Sequence, residues 1–196
     1  MTYTEIKSLY DKNGYPFDTA PYKVNNYGRR NKDLVTVNEW NDVRGIAYID
    51  EFGVGQCLEW KATTKPGLTS LSGKPMNPKG TFIPMPGFYK DCWIIGKHNV
   101  GKEHEHDALI QRGMPFKGWR DNNLDGKFDF SGTIYTDVTG LNDHTTRPHE
   151  IKNVGSFSYA CQVTKDDKEH QIKIAVCRRN EELYGNLFSY ALFQDT

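Results

Sequence analysis

A mainly β fold with one or two short helices is what this sequence predicts, and three observations carry that expectation. Gly and Pro account for 18 and 9 of the 196 residues, a frequency that calls for many turns between short elements. Apolar residues recur in short alternating runs, the period of strands half-buried against a core. Only 37% of residues are hydrophobic but 13% are aromatic, and large rings let a core form from few side chains.

The elements follow in order. Residues 1–12 predict a short helix, because Thr2 and Glu5 have capping-box spacing and Ile6, Leu9 and Tyr10 share one face. Residues 13–33, rich in Asn, Gly, Tyr and Pro, read as an irregular lead-in, with a single domain over 34–196. Leu34–Val37 and Ile46–Ile49 read as strands, and Asp50-Glu51-Phe52-Gly53 suits a turn. Thr81–Pro84, Tyr89–Ile95, Ala108–Gln111 and Gly132–Tyr135 continue the strand pattern between Pro-Gly turns. A helix is expected over about residues 166–183, with Asp166 and Asp167 in its first turn and Ile174, Cys177 and Arg178 at helical spacing. A final strand is expected over Leu187–Phe193.

Charge narrows the function classes. The 25 Lys and Arg balance 25 Asp and Glu, and no basic run exceeds Arg29-Arg30, which argues against nucleic acid as a partner. No stretch approaches the ~20 apolar residues of a spanning helix, so membrane insertion is not expected. Met1 to Lys7 lack an apolar run of signal-peptide length, giving the expectation of synthesis in the cytosol without the usual secretory route. The four cysteines allow three pairings, but this context favours free thiols. Cys57, Cys92 and Cys177 read as core residues, since free Cys packs like a small hydrophobe. Tyr15, Phe17, Tyr22, Tyr27 and Trp40 suit either stacking on sugars or filling a small β core.

The chemistry-bearing stretch is Gly140-Leu-Asn-Asp-His144-Thr145, followed by Ser156-Phe-Ser158-Tyr159-Ala160-Cys161-Gln162-Val163. Cys161 and His144 are the candidate nucleophile and base. Small or turn-compatible residues from Gly155 to Ala160 let backbone amides converge beside the thiol as an oxyanion hole. Two metal patterns are also present. His104-Glu105-His106-Asp107, with His98 and His149, has zinc-ligand residue types without a recognisable third-ligand spacing, and a solvated turn is expected. Asp121, Asn123, Asp125 and Asp129, with Gly126, match the first nine positions of a calcium loop, but Gly132 stands at position 12. An Asx-rich turn is the expectation there, and no cofactor is called for.

His upstream of Ser-x-Gly-Cys is the signature of the L,D-transpeptidase catalytic domain. His144, 16 intervening residues and Ser158-Tyr159-Ala160-Cys161 resemble it. The sequence is also similar to phage-encoded proteins related to that domain. The similarity rests, in order, on Val37-Asn38-Glu39-Trp40-Asn41-Asp42, Ala62-Thr63-Thr64-Lys65-Pro66-Gly67, Gly96-Lys97-His98, Ala108-Leu109-Ile110-Gln111-Arg112, Arg120-Asp121-Asn122-Asn123, Gly140 to His144, and Cys161-Gln162-Val163. The resemblance implies an L,D-transpeptidase-like β-sandwich or open-barrel catalytic domain acting on peptidoglycan stem peptides. Carried over, Cys161 is the nucleophile, His144 the base, and the amides of Tyr159, Ala160 and Cys161 the oxyanion hole. Ser158 braces the loop and Arg120 holds a substrate carboxylate. An adjacent imidazolium would lower the thiol from ~8.5 to ~6. Tyr159 and Ala160 replace the family's His and Gly, and a positive φ at Ala160 would strain it. The implied setting is the bacterial cell wall, as a phage lytic protein or a virion component. The alternative is an inactive wall-binding or tail component on the same fold, with other virion proteins as partners.

Overall fold

A computed structural model describes residues 1–73, 75–146 and 151–196. The chain runs α1 (Tyr3–Lys12), β1 (Asn25–Arg30), β2 (Asp42–Ile49), β3 (Gly55–Thr63), α2 (Leu68–Ser72), β4 (Thr81–Pro84), β5 (Gly87–His98), β6 (His106–Gln111), β7 (Phe116–Asp121), β8 (Tyr135–Val138), β9 (Asp143–Thr145), β10 (Gln162–Thr164), α3 (Asp167–Tyr184) and β11 (Phe188–Gln194). The fold is mainly β, as expected. Eight strands close into a barrel in the order β1-β11-β5-β6-β9-β10-β3-β2, and β4-β7-β8 form a separate sheet. Among the described residues there are three helices rather than one or two, and α3 is 18 residues long. None is long and apolar enough to cross a membrane.

Local chemistry sets the ends of the helices. In α1, Thr2 Oγ1 accepts from Glu5 N at 3.3 Å, and the Glu5 carboxylate accepts from Thr2 N at 2.7 Å, a complete capping box. The Asp166 carboxylate accepts from Glu169 N at 3.1 Å and starts α3. The turn between β2 and β3 is built by Asp50, whose Oδ1 accepts from Phe52 N and Val54 N, while Gly53 takes φ +77°.

Three expectations need correction. Leu34–Val37 is a loop, because Asp33 Oδ1 captures the amides of Val35 and Thr36, each at 2.9 Å, and Val35 is 84% exposed. Of Gly132–Tyr135, only Tyr135 is in a strand. The lead-in over 13–33 contains β1, a full member of the barrel paired with β2 and β11. Its sequence, Asn-Asn-Tyr-Gly-Arg-Arg, lacks apolar alternation because polar side chains such as Asn25 and Arg30 are buried there on hydrogen-bond partners. Arg30 donates to Thr64 Oγ1 at 3.1 Å and to the carbonyls of Thr64 and Pro84 at 2.9 and 2.8 Å. Gly28 is required by close approach: a Cβ there would lie 2.1 Å from the Tyr190 hydroxyl.

The N-terminal aromatics pack against the core, Tyr10 fully buried and Tyr15 and Phe17 half-buried. Tyr10, Tyr15, Phe17 and Phe193 pack edge-on or tilted with centroids 5.0 to 6.4 Å apart, joining α1 to the barrel wall. Tyr27 and Trp40 are buried as well. All four cysteines are free thiols; Cys92 and Cys177 are fully buried, while Cys57 is half-buried with Sγ 3.1 Å from the Tyr27 hydroxyl.

The barrel interior is partly ionic. Asp143 on β9 accepts from Lys173 Nζ at 2.6 and 2.8 Å and from Arg44 Nη2 at 2.6 Å, and all three side chains are fully buried. Lys173 also donates to Thr164 Oγ1 on β10 at 3.2 Å, and Tyr190 donates to Gln162 Oε1 at 2.6 Å. The Arg44 guanidinium lies 4.5 Å from the Tyr190 ring centroid. The two cations hold the Asp143 carboxyl well below the usual range despite its burial. Burial lowers the Lys173 ammonium to about 8, with Asp143 opposing the shift.

Replacing Asp143 with Ala leaves two buried cations without their counterion, so the expected loss is about 3–5 kcal/mol of unfolding free energy. Lys173→Met, which keeps the Arg44–Asp143 pair, is expected to cost clearly less. Urea unfolding of the two variants checks the order; equal losses would contradict the assignment.

Candidate active site

Strands β9 and β10 are parallel, with Asp143 opposite Gln162 and His144 opposite Val163. Side chains alternate along a strand, so Asp143 and Gln162 face the interior, while His144 and Cys161 emerge on the outer face. Both line one cavity of about 680 Å³, together with Tyr159, Ala160 and Arg120. The structure therefore gathers five segments: the stretch from Met76 into β4, the β5–β6 hairpin, β7, the residues from Val138 through β9, and the loop before β10.

The His144 tautomer follows from its partner. Nδ1 lies 2.8 Å from the Thr145 carbonyl oxygen, which only accepts, so Nδ1 carries the proton and Nε2 keeps its lone pair. The ring stacks on His98 with centroids 3.9 Å apart and planes 9° from parallel. Burial, with the neighbouring His98 imidazole, pushes His144 well below the usual histidine range, and it is neutral at pH 7.

Cys161 is half-buried, and its thiol faces the Gly140 carbonyl at 3.8 Å. Burial pushes the thiol up to about 11; a hydrogen bond from the Asn142 N–H opposes the shift. In place of the expected thiolate–imidazolium pair, burial favours a neutral thiol and a neutral imidazole lining one cavity. Such a pair works by general base catalysis, the proton moving as sulfur attacks.

The loop before Cys161 is tied at Ser158, which is fully buried. Its carbonyl accepts from Gly67 N at 2.9 Å, and its hydroxyl donates to the Cys161 carbonyl at 2.8 Å. Ala160 has φ 159°, close to extended backbone, so it meets no left-handed strain of the kind that would demand glycine. Among the described residues, the N–H groups of Tyr159, Ala160 and Cys161 have no acceptor. They are three donors beside the thiol.

Arg120 on β7 donates to the Gly80 carbonyl at 2.8 Å, and its guanidinium lies 5.5 and 5.4 Å from the Phe82 and Tyr135 ring centroids. No ion pair engages it among the described residues. Lys102 also lines the cavity, and no described lining residue is Asp or Glu. The cavity suits an anion.

His104 lies in the partly solvated turn between β5 and β6, as expected, and with His98 and His106 it also lines this cavity. Among the described residues no three His, Cys, Asp or Glu side chains could hold a metal ion; His149 lies outside those residues. In the second metal pattern one oxygen of each side chain accepts from a loop amide, as an Asx-rich turn requires, while Asp121 Oδ1 is buried without a hydrogen-bond partner among the described residues. Asp121 Oδ2 accepts from Asp129 N at 3.1 Å, Asn123 Oδ1 from Asp125 N at 3.1 Å, Asp125 Oδ1 from Lys127 N at 2.9 Å, and Asp129 Oδ1 from Ser131 N at 2.9 Å.

Sequence reasoning missed Asn142, whose contacts span the site. Its carbonyl accepts from Gln162 N at 2.9 Å, and its Oδ1 accepts from Gln111 N at 3.0 Å. The available signal was strand period: Asn142 and His144 are two apart and share a face.

The raised thiol sets a pH prediction. Alkylation of Cys161 by iodoacetamide is expected to stay slow near pH 7 and to rise toward an inflection close to 11, followed by mass spectrometry. An inflection at or below 8 would restore the thiolate–imidazolium pair. Compared with family models, curated proteins and solved structures, the chain finds no match in any of the three.

Proposed function

We propose that this protein is a cysteine-dependent acyl-transfer enzyme acting on the stem peptides of peptidoglycan. The observation that carries the reading is the placement of Cys161 and His144 on one outer face of two adjacent strands, in one cavity beside three free amides. The wall substrate rests on the ordered motifs shared with the L,D-transpeptidase-like phage proteins. Unpaired Arg120 and Lys102 in a cavity without a described carboxylate suit a peptide rich in free carboxylates.

In this scheme the Cys161 sulfur attacks a peptide carbonyl while its proton passes to His144 Nε2. The carbonyl π electrons move onto oxygen, which the amides of Tyr159, Ala160 and Cys161 stabilise. Collapse breaks the C–N bond, and His144 returns the proton to the departing amine. The thioester then passes its acyl group to water, giving hydrolysis, or to an amine, giving a cross-link. Arg120 takes the substrate carboxylate.

The second reading is a wall-binding or virion component that performs no chemistry, and the thiol pushed up to about 11 favours it. Purified muropeptides separate the two. The enzyme reading expects a new product by mass spectrometry with wild type and none with Cys161→Ala. The binding reading expects no product and equal wall binding by both proteins. Arg120→Met is expected to raise KM about 10- to 100-fold with kcat nearly unchanged, the loss of one charge-assisted hydrogen bond. Unchanged KM would remove Arg120 from substrate binding.

A further inference from the structure

His98 carries an N–H donor into the cavity, and two linked hydrogen bonds fix that donor. Gln111 N–H on β6 is a donor only, and it lies 3.0 Å from one side-chain atom of Asn142. That atom is the oxygen, so the Asn142 NH₂ group points the other way. It meets His98 Nδ1 at 3.1 Å and donates to it. Nδ1 is therefore the acceptor, and in a neutral ring the proton sits on Nε2. Burial disfavours the cation form of the neighbouring His144, and His98 itself is lowered by burial to about 4. Among the described residues Nε2 has no hydrogen-bond partner, and the ring lines the same cavity as Cys161.

His98 and His144 are thus a stacked pair in opposite tautomers, 3.9 Å between centroids. The His144 Nε2 lone pair accepts a proton, while the His98 Nε2–H can only donate. A neutral imidazole donates a hydrogen bond without competing for the proton that the base must take. Building on the acyl-transfer reading above, we propose that His98 is a further catalytic residue, whose Nε2–H stabilises the oxyanion formed as Cys161 attacks the carbonyl. The step adds no co-reactant: sulfur–carbon bond formation drives the π electrons onto oxygen, the thiol proton goes to His144, and the His98 proton stays on its nitrogen.

Two small probes separate this role from a packing role. Alkylation by iodoacetamide needs an active thiol but forms no oxyanion; acylation by p-nitrophenyl acetate needs both. His98→Phe keeps a ring against His144 and removes the donor, and His98→Gln keeps an N–H at similar reach. With the full chain at pH 9, His98→Phe is expected to alkylate at Cys161 within about 2-fold of wild type and to acylate roughly 100-fold more slowly. His98→Gln is expected to recover most of the acylation rate. The proposal is overturned if His98→Phe slows both probes equally, which makes His98 a support for His144, or if it slows neither. A His98→Gln variant as slow as His98→Phe in acylation overturns it as well. Wild type that alkylates at Cys161 but never acylates there overturns the acyl-transfer reading, and this proposal with it.

Discussion

The carboxylate of Asp143, buried between the Arg44 guanidinium and the Lys173 ammonium, is the contact on which the architecture turns. Each partner comes from a different element: Arg44 from β2, Lys173 from α3 and Asp143 from β9. Breaking such a group strands a buried charge, so the three elements are held in one arrangement. Lys173 extends the hold to Thr164 on β10, and Tyr190 secures Gln162 from across the barrel. Strands β9 and β10 are three residues each, too short for their own ladder to fix them firmly. Their inward side chains supply the fixing. One residue along each chain, on the outward side, stand His144 and Cys161.

That arrangement links interior and surface chemistry through the parity of a strand. Inward positions carry the ionic network, and outward positions carry the thiol, the imidazole and Asn142. A slip of one residue on β9 would bury the imidazole and expose the Asp143 charge, and a slip on β10 would bury the thiol and expose Gln162. The outer face then gains its cavity walls from parts of the chain far away in sequence. The β5–β6 hairpin brings His98 and His106, and β7 in the second sheet brings Arg120. Burial on this face keeps the thiol and the imidazoles neutral, which favours concerted proton transfer over a standing ion pair.

Much of the frame could be read from residues alone. Thr2 with Glu5 and Asp166 announced two helices, and Asp50 to Gly53 announced the tightest hairpin, because caps and turns are local. The strand β1 was hidden because Asn25, Arg29 and Arg30 look like surface residues until their partners are known. Leu34 to Val37 misled for the opposite reason: apolar residues suggested a strand, and one Asp side chain took the amides a ladder would have used. At the site, Cys161, His144 and the small-residue loop were visible as a motif. His98 stood out only as a metal candidate and Asn142 only by its strand period with His144, since the hydrogen bond that links the two crosses between strands.

The central claim is that two neutral histidines in opposite tautomers line one cavity with a protonated thiol. Long-range ¹H–¹⁵N NMR of the imidazole rings at pH 7 tests it most directly. The account predicts a proton on Nδ1 of His144 and on Nε2 of His98, with neither ring doubly protonated. A His144 imidazolium, or both rings in the same tautomer, would contradict it.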